Sequence, residues 1–477
     1  MKKILPILLV AAMVLSVLIS CKSGGNDPKN TDNIVTGNQE YKADYIPAKN
    51  YDGYTIRLVT LDDTSYRHIV INYDETDNRV RAAQYNALGR IKNNYGLDYS
   101  ESYVGSWEEC SRKFKEYTTA QTDDADLNML IHREAFAMAV DNRVMEYSKL
   151  PYCDPTQPWY ATAINESDTI LGKTFWYYTF GDVETYSNAI GLAFNKRLIE
   201  DSQSLVSPYK LIEDDEWYYD KFIEMIRTVA IDADADGKFN GPDDVAGLAG
   251  AGDSIYPSIW LGCDIKTIEL DEDGYPEYTA YYNETLVDVI YDLIDLRNAT
   301  YIYDTTSLGV AEQRTEELNR FISGRSLFKA TSLAGLASFT TMEDEYGFVP
   351  CPKYDDDQDD YIARIADIWA NVVPNTATRL EEISTFIEAY AVESLNNVVD
   401  AYYEETLKDR YANDEETKHY IDLVRQSAKV ELGDTIWQSV CRNKILDVIW
   451  SDGGNISSTL NSYRSKIAAT IKQSIGY

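Results

Sequence analysis

The sharpest chemical pattern in the chain is Asp232-Ala-Asp234-Ala-Asp236-Gly237-Lys238-Phe-Asn240-Gly-Pro-Asp243. Carboxylates stand at positions one, three and five, with Gly237 at six, which is the spacing of an EF-hand-type calcium loop. Lys238 would offer its carbonyl at seven, Asn240 an oxygen at nine, and Asp243 a carboxylate at twelve. Asp at twelve has a shorter arm than the usual Glu, and Asp244 could substitute for it. Acids this close repel one another unless a cation lies between them, so Ca²⁺ is expected here. The bland alternative is an acidic turn in an acidic chain. No second loop pairs with this one, which points to a structural brace rather than a sensor.

Catalytic patterns are missing. His68, His132 and His419 stand isolated, and no Gly-x-Ser-x-Gly elbow, Walker loop or His-Glu-x-x-His accompanies them. A glycosidase needs two carboxylates and nothing more, and 79 acids neither locate nor exclude such a pair. Absence of motif weighs against an enzyme.

A different chemistry is written at the start. Met1-Lys2-Lys3 precedes an apolar run from Ile4 to Ile19, too short and too early for a membrane span, which reads as a secretory signal. Its ending, Leu18-Ile19-Ser20-Cys21, resembles a bacterial lipobox, in which cleavage frees a Cys that takes a diacylglycerol. The Gly-, Asn- and Asp-rich stretch that follows behaves as a leash. The expectation is a signal over 1–20, a tether over 21–50 and a protein anchored in the membrane by lipid on Cys21. Cys110, Cys153, Cys263, Cys351 and Cys441 are odd in number and show no zinc spacing, so buried free thiols are expected.

The 477 residues carry 44 Lys plus Arg against 79 Asp plus Glu, a net charge of −35. A surplus of acid argues against nucleic acid, whose phosphates need a basic face. It also argues against holding the folded body on an anionic bilayer by charge. The 38 Tyr and 8 Trp against 12 Phe favour wet, stackable recognition surfaces over dry core.

The elements that must position these groups alternate at first. Strands are expected at Tyr54–Thr60, Leu97–Val104 and Leu127–Ile131, with helices at Asn78–Asn94 and from Trp107. Ala189–Asn195 reads as a strand running into a helix at Lys196–Asp201. Helices are expected at Glu216–Thr228, Ser254–Leu261, Glu284–Arg297 and Gln313–Ile322, and strands at Ser326–Thr331, Tyr346–Pro350 and Ile368–Val373. From Leu380 to Ile475 the pattern is almost entirely helical. The alternation predicts an α/β class with largely parallel sheet.

Several segments together resemble the extracellular solute-binding proteins of the ABC-transporter sugar-binding family, in its clostridial form. They are the lipobox and tether, Ile91-Lys-Asn-Asn-Tyr-Gly-Leu-Asp-Tyr99, Tyr147-Ser-Lys-Leu-Pro-Tyr152 with Gln157-Pro-Trp-Tyr160, and Ile190-Gly-Leu-Ala-Phe-Asn-Lys196. Trp217-Tyr-Tyr-Asp-Lys-Phe222, the Asp-rich loop, Gly324-Arg-Ser-Leu-Phe328 and Tyr346-Gly-Phe-Val-Pro-Cys-Pro-Lys-Tyr354 follow in the expected order. The resemblance implies a two-lobed periplasmic-binding-protein-like fold with a helical C-terminal part. It implies an N-terminal lobe from 51–190 plus 331–373 and a C-terminal lobe from 191–330 plus 374–477. Crossovers are expected at Ala189–Asn195, Ser326–Ser332 and Val373–Asn375. It further implies a monomer that holds a mono- or oligosaccharide between its lobes and passes it to ABC permease subunits. Ligand contacts would fall at strand ends and crossovers, on Tyr66, His132, Arg133, Tyr186, Tyr256, Trp260, Ser332 and Trp369, with Trp369 the first choice. A secreted carbohydrate-active enzyme, or a binding protein of this fold serving signalling or adhesion, are the competing readings.

Overall fold

The computed structural model describes residues 40–62, 79–365, 368–412, 414–451 and 454–476. The signal, Cys21, most of the tether, Tyr66 and Asp367 lie outside them.

The chain opens with an α/β alternation. β1 (Tyr54–Leu61), β2 (Leu97–Val104) and β3 (Leu127–Ile131) are linked by α1 (Arg79–Tyr95) and α2 (Trp107–Ala120), and α3 (His132–Val140) follows β3 directly. β1 pairs in parallel with β2 and β3, since a helical crossover returns the chain in the same direction. α1 stops at Gly96, whose φ of 64° caps the helix in the left-handed region. α2 starts in a capping box, with Glu109 N donating to Ser106 Oγ at 3.4 Å and Ser106 N donating to Glu109 Oε2 at 3.2 Å.

After α4 (Thr162–Ser167) and α5 (Val183–Ser187), the fully buried β4 (Ile190–Asn195) begins a second sheet. Then come α6 (Lys196–Ser202), α7 (Pro208–Glu213), α8 (Tyr219–Val229), β5 (Ala246–Gly250), α9 (Gly252–Gly262) and the hairpin β6 (Ile268–Leu270) with β7 (Pro276–Tyr278). α10 (Glu284–Asn298), β8 (Ile302–Asp304), α11 (Val310–Ile322), β9 (Ser326–Ser332), β10 (Tyr346–Val349) and β11 (Ala363–Arg364) complete this part. The second sheet has the order β10-β4-β9-β5-β8. β5 runs parallel to β8 and β9, whereas β4 is antiparallel to β9 and β10.

β12 (Trp369–Val372) returns to the first sheet, antiparallel to β3, giving the order β12-β3-β1-β2. The fold is therefore two α/β lobes, each built on its own sheet. α12 (Leu380–Glu393), a π-helical turn at Ser394–Val398, α13 (Val399–Tyr402) and a second π-helical stretch at Tyr403–Tyr411 form one long helical run. α12 packs on α1 and β1, while α14 (Glu415–Gln426), which follows the run, packs on β10. The run thus starts on the first lobe and ends on the second. β13 (Ala428–Lys429), α15 (Arg442–Trp450) and α16 (Ile456–Ser474) close the chain on the second lobe.

Most expected elements appear within a few residues of their expected bounds. The lobe boundaries differ. β10 zips onto β4, so 333–365 largely stays with the second sheet and β12 is the part of 331–373 that joins the first. β9 is likewise an interior strand of the second sheet rather than a link between lobes. The expected C-terminal lobe of 374–477 begins with α12 on the first. An amphipathic strand or helix shows that it covers a sheet, not which sheet. The C-terminal part is also less uniformly helical than expected: β13 and the turns at 430–441 interrupt it.

Candidate ligand cleft and metal loop

Ala189 stands at the entry to β4, beside the second sheet. Its carbonyl accepts Leu333 N at 3.0 Å, and its backbone bridges Ile365. One residue on, Ile190 stands opposite Ser332 in the β4–β9 ladder. Ala189 N in turn donates to Tyr186 O at 3.0 Å, and on the first sheet His132 N donates to Ile368 O at 3.0 Å. Backbone bonds thereby place Tyr186 and Ser332 around the start of β4, and His132 beside the strand start at Trp369 on the first sheet. Trp369 pairs in register with Ile131 and is 6% exposed.

His132 is buried, with Nε2 at 2.9 Å from Asp168 Oδ1 and its ring edge-on to Trp176 at 5.6 Å. Asp168 Oδ2 accepts the Trp176 indole N–H at 3.0 Å, so three side chains form one polar knot inside the first lobe. Arg133, half-buried, lays its guanidinium over Trp107 at 4.6 Å. Tyr186 is buried and stacks on Phe180 at 5.8 Å.

In the second lobe, Tyr256 and Trp260 lie on α9 and are fully buried. The Tyr256 hydroxyl donates to Asp304 Oδ2 at 2.8 Å; burial, then the Asp304 charge, push it well above the ordinary phenol range. Asp304 Oδ1 receives Gly252 N, Thr306 N and Thr306 Oγ, so one carboxylate ties the end of β8 to the start of α9. Ser332, half-buried, accepts Gly335 N on its Oγ at 3.3 Å. Arg364, one residue before the Ile365 bridge, grips Asp434 with both Nε and Nη2 at 2.7 and 3.0 Å. Its Nη1 donates to Ser254 O at 3.1 Å, fixing α9 against the crossing strand. Asp168, Asp304 and the Arg364–Asp434 pair escaped sequence reasoning, because a partner far along the chain leaves no spacing to read.

The acidic loop sits between α8 and β5, closed by reciprocal backbone bonds of Ile231 with Val245. Gly237, at φ 83°, makes the turn, as expected at position six. Carboxylate oxygens of Asp232, Asp234 and Asp244 lie within 4.8 Å of one another. Asp232 also accepts Asp236 N and Gly237 N, at 3.1 and 2.8 Å. Asp236 turns Oδ1 toward Lys238 N at 2.8 Å, while Asn240 and Asp243 are exposed. The gathered third acid is thus Asp244, one residue beyond the expected Asp243; its oxygens accept Ala233 N and Gly241 N at 2.9 and 2.6 Å. The bond from Asp236 N pulls the Asp234 carboxyl down, but burial and the charges of Asp236, Asp244 and Asp232 outweigh it and leave it raised. That is the electrostatic condition a hard cation relieves.

Arg320 of α11 anchors the loop. Fully buried, it donates to the carbonyls of Phe239, Gly241 and Asp244 at 3.0 to 3.1 Å and lies over Tyr303 at 4.0 Å. The same helix carries Glu317, which receives Ala251 N at 3.2 Å beside the end of β5.

Of the sulfurs, Cys110, Cys263, Cys351 and Cys441 are buried and Cys153 half-buried, all as free thiols. Burial pushes the Cys110 and Cys351 thiols up to about 12. Among the described residues no helix is long and apolar enough to cross a membrane.

No family model matches the sequence, and no curated protein matches it. Solved structures do match in fold. UspC of M. tuberculosis is 12% identical with a TM-score of 0.58, covering 87% of this chain and 99% of that one. A sugar transporter from Rhizobium etli, in an open conformation, is 13% identical with a TM-score of 0.58 and the same coverage. An ABC substrate-binding protein from Listeria monocytogenes, in complex with cycloalternan, is 11% identical with a TM-score of 0.55, covering 88% and 99%. At these identities the likeness is one of architecture: the chain has the two-lobed α/β fold of the periplasmic solute-binding proteins.

Proposed function

We propose that the chain is an extracytoplasmic solute receptor that captures a carbohydrate between its lobes and delivers it to an ABC permease. It would be lipid-anchored through Cys21 and would bind its ligand without chemical turnover. The observation that carries this reading is the fold itself, two α/β lobes between which the chain passes before β4 and again before β12, an architecture shared with a sugar transporter and an ABC substrate-binding protein over 99% of their length. Relative motion of two lobes about such a crossing converts a bound ligand into a change of shape that a second protein can read. Tyr and Trp rings offer faces to sugar C–H surfaces while Ser, His and Arg offer partners for hydroxyls, which is why His132, Arg133, Ser332 and Trp369 remain the assigned contacts. The test is isothermal calorimetry against mono- and oligosaccharides, followed by chromatography of the recovered ligand. Binding with the sugar returned intact supports the reading; cleaved sugar overturns it in favour of an enzyme.

The acidic loop is assigned a structural Ca²⁺. Asp232, Asp234 and Asp244 would hold it, and Asp236, Lys238, Asn240 and Asp243 complete the oxygen-rich sequence around it. Because Arg320 pins this loop to α11, a cation here would brace the second lobe rather than touch the ligand. Asp232→Ala with Asp244→Ala should abolish calcium binding by calorimetry; retained binding overturns the assignment.

A further inference from the structure

The first sheet, in the order β12-β3-β1-β2, reverses its direction of growth between β1 and β3. The chain leaves β1 for β2 on one side and returns through α2 to β3 on the other. β1, β2 and β3 run parallel, so their carboxyl ends share one edge. In open α/β sheets the crevice beyond that edge, at the reversal, is where ligands are received. Side chains from the two strands that flank β1 meet there. Arg133 stands two residues beyond the end of β3, and Trp107, which opens α2, three beyond the end of β2. The Arg133 guanidinium lies 4.6 Å from the centre of the Trp107 ring.

Both residues are half-buried, and the guanidinium has donors to spare. The chain carries 79 acids, yet Arg133 forms no hydrogen bond or ion pair among the described residues. The acids nearest in sequence to Trp107 are engaged elsewhere. Glu108 Oε2 accepts Ser106 Oγ at 2.6 Å, while Glu109 accepts Ser106 N at 3.2 Å and faces Arg112 at 3.7 Å. α3, which carries Arg133 in its first turn, starts without a side-chain cap, so the positive end of its dipole adds to the guanidinium charge. A guanidinium resting on an indole is held in place while its N–H donors stay on its rim. The partner that suits it is a planar carboxylate, which takes two of those donors side by side. The remaining indole surface suits the C–H face of the ring that bears the carboxylate.

We propose that the ligand is an acidic carbohydrate, a uronate whose carboxylate is received by Arg133 with Trp107 as the floor. This rests on the carbohydrate reading and narrows it: Trp107 joins the assigned contacts and Arg133 sets specificity. At a net charge of −35 the protein's long-range field opposes an anion. Selectivity therefore comes from contact at this spot, where exposed charges more than about 10 Å away are screened by ordinary salt.

The test is calorimetry of the full mature chain with galacturonate, glucuronate and trigalacturonate. Each is set beside a neutral counterpart: galactose, glucose and the methyl ester of trigalacturonate. The acidic sugars should bind at least tenfold more tightly than their counterparts. Arg133→Lys, which keeps the charge and loses the fork, should weaken acidic-sugar binding at least tenfold. Arg133→Gln should remove the preference for the acid, and Trp107→Leu should weaken acidic-sugar binding, with apo melting of each variant checking that it folds. Neutral sugars bound as tightly as the acidic ones overturn the proposal and leave the carbohydrate reading standing. A preference for acid that survives in Arg133→Gln overturns it as well. So does binding of none of the six, in which case the wider panel of mono- and oligosaccharides decides the carbohydrate reading separately.

Discussion

Glu431, in the turn after β13, is buried and its Oε1 accepts Thr267 N, Thr267 Oγ and Ile268 N at 2.9 to 3.0 Å, so replacing it by Gln measures what that burial costs the fold. Burial above all, with the Asp434 charge next, pushes the Glu431 carboxyl from 4.5 up to about 6. At 1.36 kcal/mol per pH unit, that rise corresponds to about 2 kcal/mol of lost stability once the group is ionised. The folded state binds the proton more tightly than the unfolded chain does. Stability from this group is therefore fully present below about pH 4.5, falls as pH rises through about 6, and stays at its reduced level above that. Glu431→Gln removes the charge but keeps an oxygen for Thr267 and Ile268, at a cost of about 1 kcal/mol for the weaker neutral acceptor. At pH 7.5 the variant should then equal or exceed the wild type by about 1 kcal/mol, and at pH 4.5 it should be the less stable of the two. Urea unfolding followed by far-ultraviolet circular dichroism at pH 4.5, 5.5, 6.5 and 7.5 reads this as a difference between two curves, in which the other carboxylates cancel. A wild-type minus variant difference that is the same at all four pH values would refute the reasoning, because Glu431 would then titrate alike in the folded and unfolded chain.

Calcium at a hundredfold excess over its Kd should add about 2.7 kcal/mol to the native state, seen as a rise of a few degrees in melting temperature; EGTA should reverse it and leave sugar selectivity unchanged. Asp232→Ala with Asp236→Ala should abolish that rise, and a wild-type melting point indifferent to both calcium and EGTA removes the ion from the account. Trp369→Phe keeps most of the buried area of a residue 6% exposed, so apo melting should shift little while sugar affinity falls by about 1–3 kcal/mol; unaltered affinity places Trp369 in the core alone. Cys21→Ala should abolish incorporation of labelled fatty acid, and label persisting in that variant contradicts the lipobox.

How much could be read in advance followed the range of the interaction. β2 and β3 appear at their expected bounds because a strand's alternation and a flanking cap are written within ten residues or so. Gly96 and Gly237 take the left-handed conformations their positions demanded. His132, Ser332 and Trp369 each stand at the end or start of a strand that was correctly placed. Lobe membership was illegible for the opposite reason. β10 joins β4 across about 150 residues of chain, and nothing local to Tyr346–Val349 names its partner. Asp244, offered by the sequence as the substitute for Asp243, takes that place next to the reciprocal Ile231–Val245 bonds that close the loop. Glu431 gave no signal at all: one Glu among 79 acids, singled out by burial that the sequence does not display.

The path of the chain at its start carries a mechanical meaning. Tyr41 exchanges two backbone bonds with the Asn396 amide, Tyr45 donates to the buried Glu388, and Tyr51 meets Thr385, so residues 41–51 are fastened along α12 and the π-helical turn beyond it. Glu388 is further gripped by Trp159, Tyr160 and Asp154 N. Any pull transmitted through the segment preceding Glu40 is delivered to the first lobe. That lobe is then the stator and the second the rotor. Were that segment moored, any closure of one lobe on the other would swing the acidic loop and α9 through an arc whose orientation to the mooring is fixed. A partner waiting at one end of that arc could distinguish a loaded molecule from an empty one by position, with no contact to the cargo.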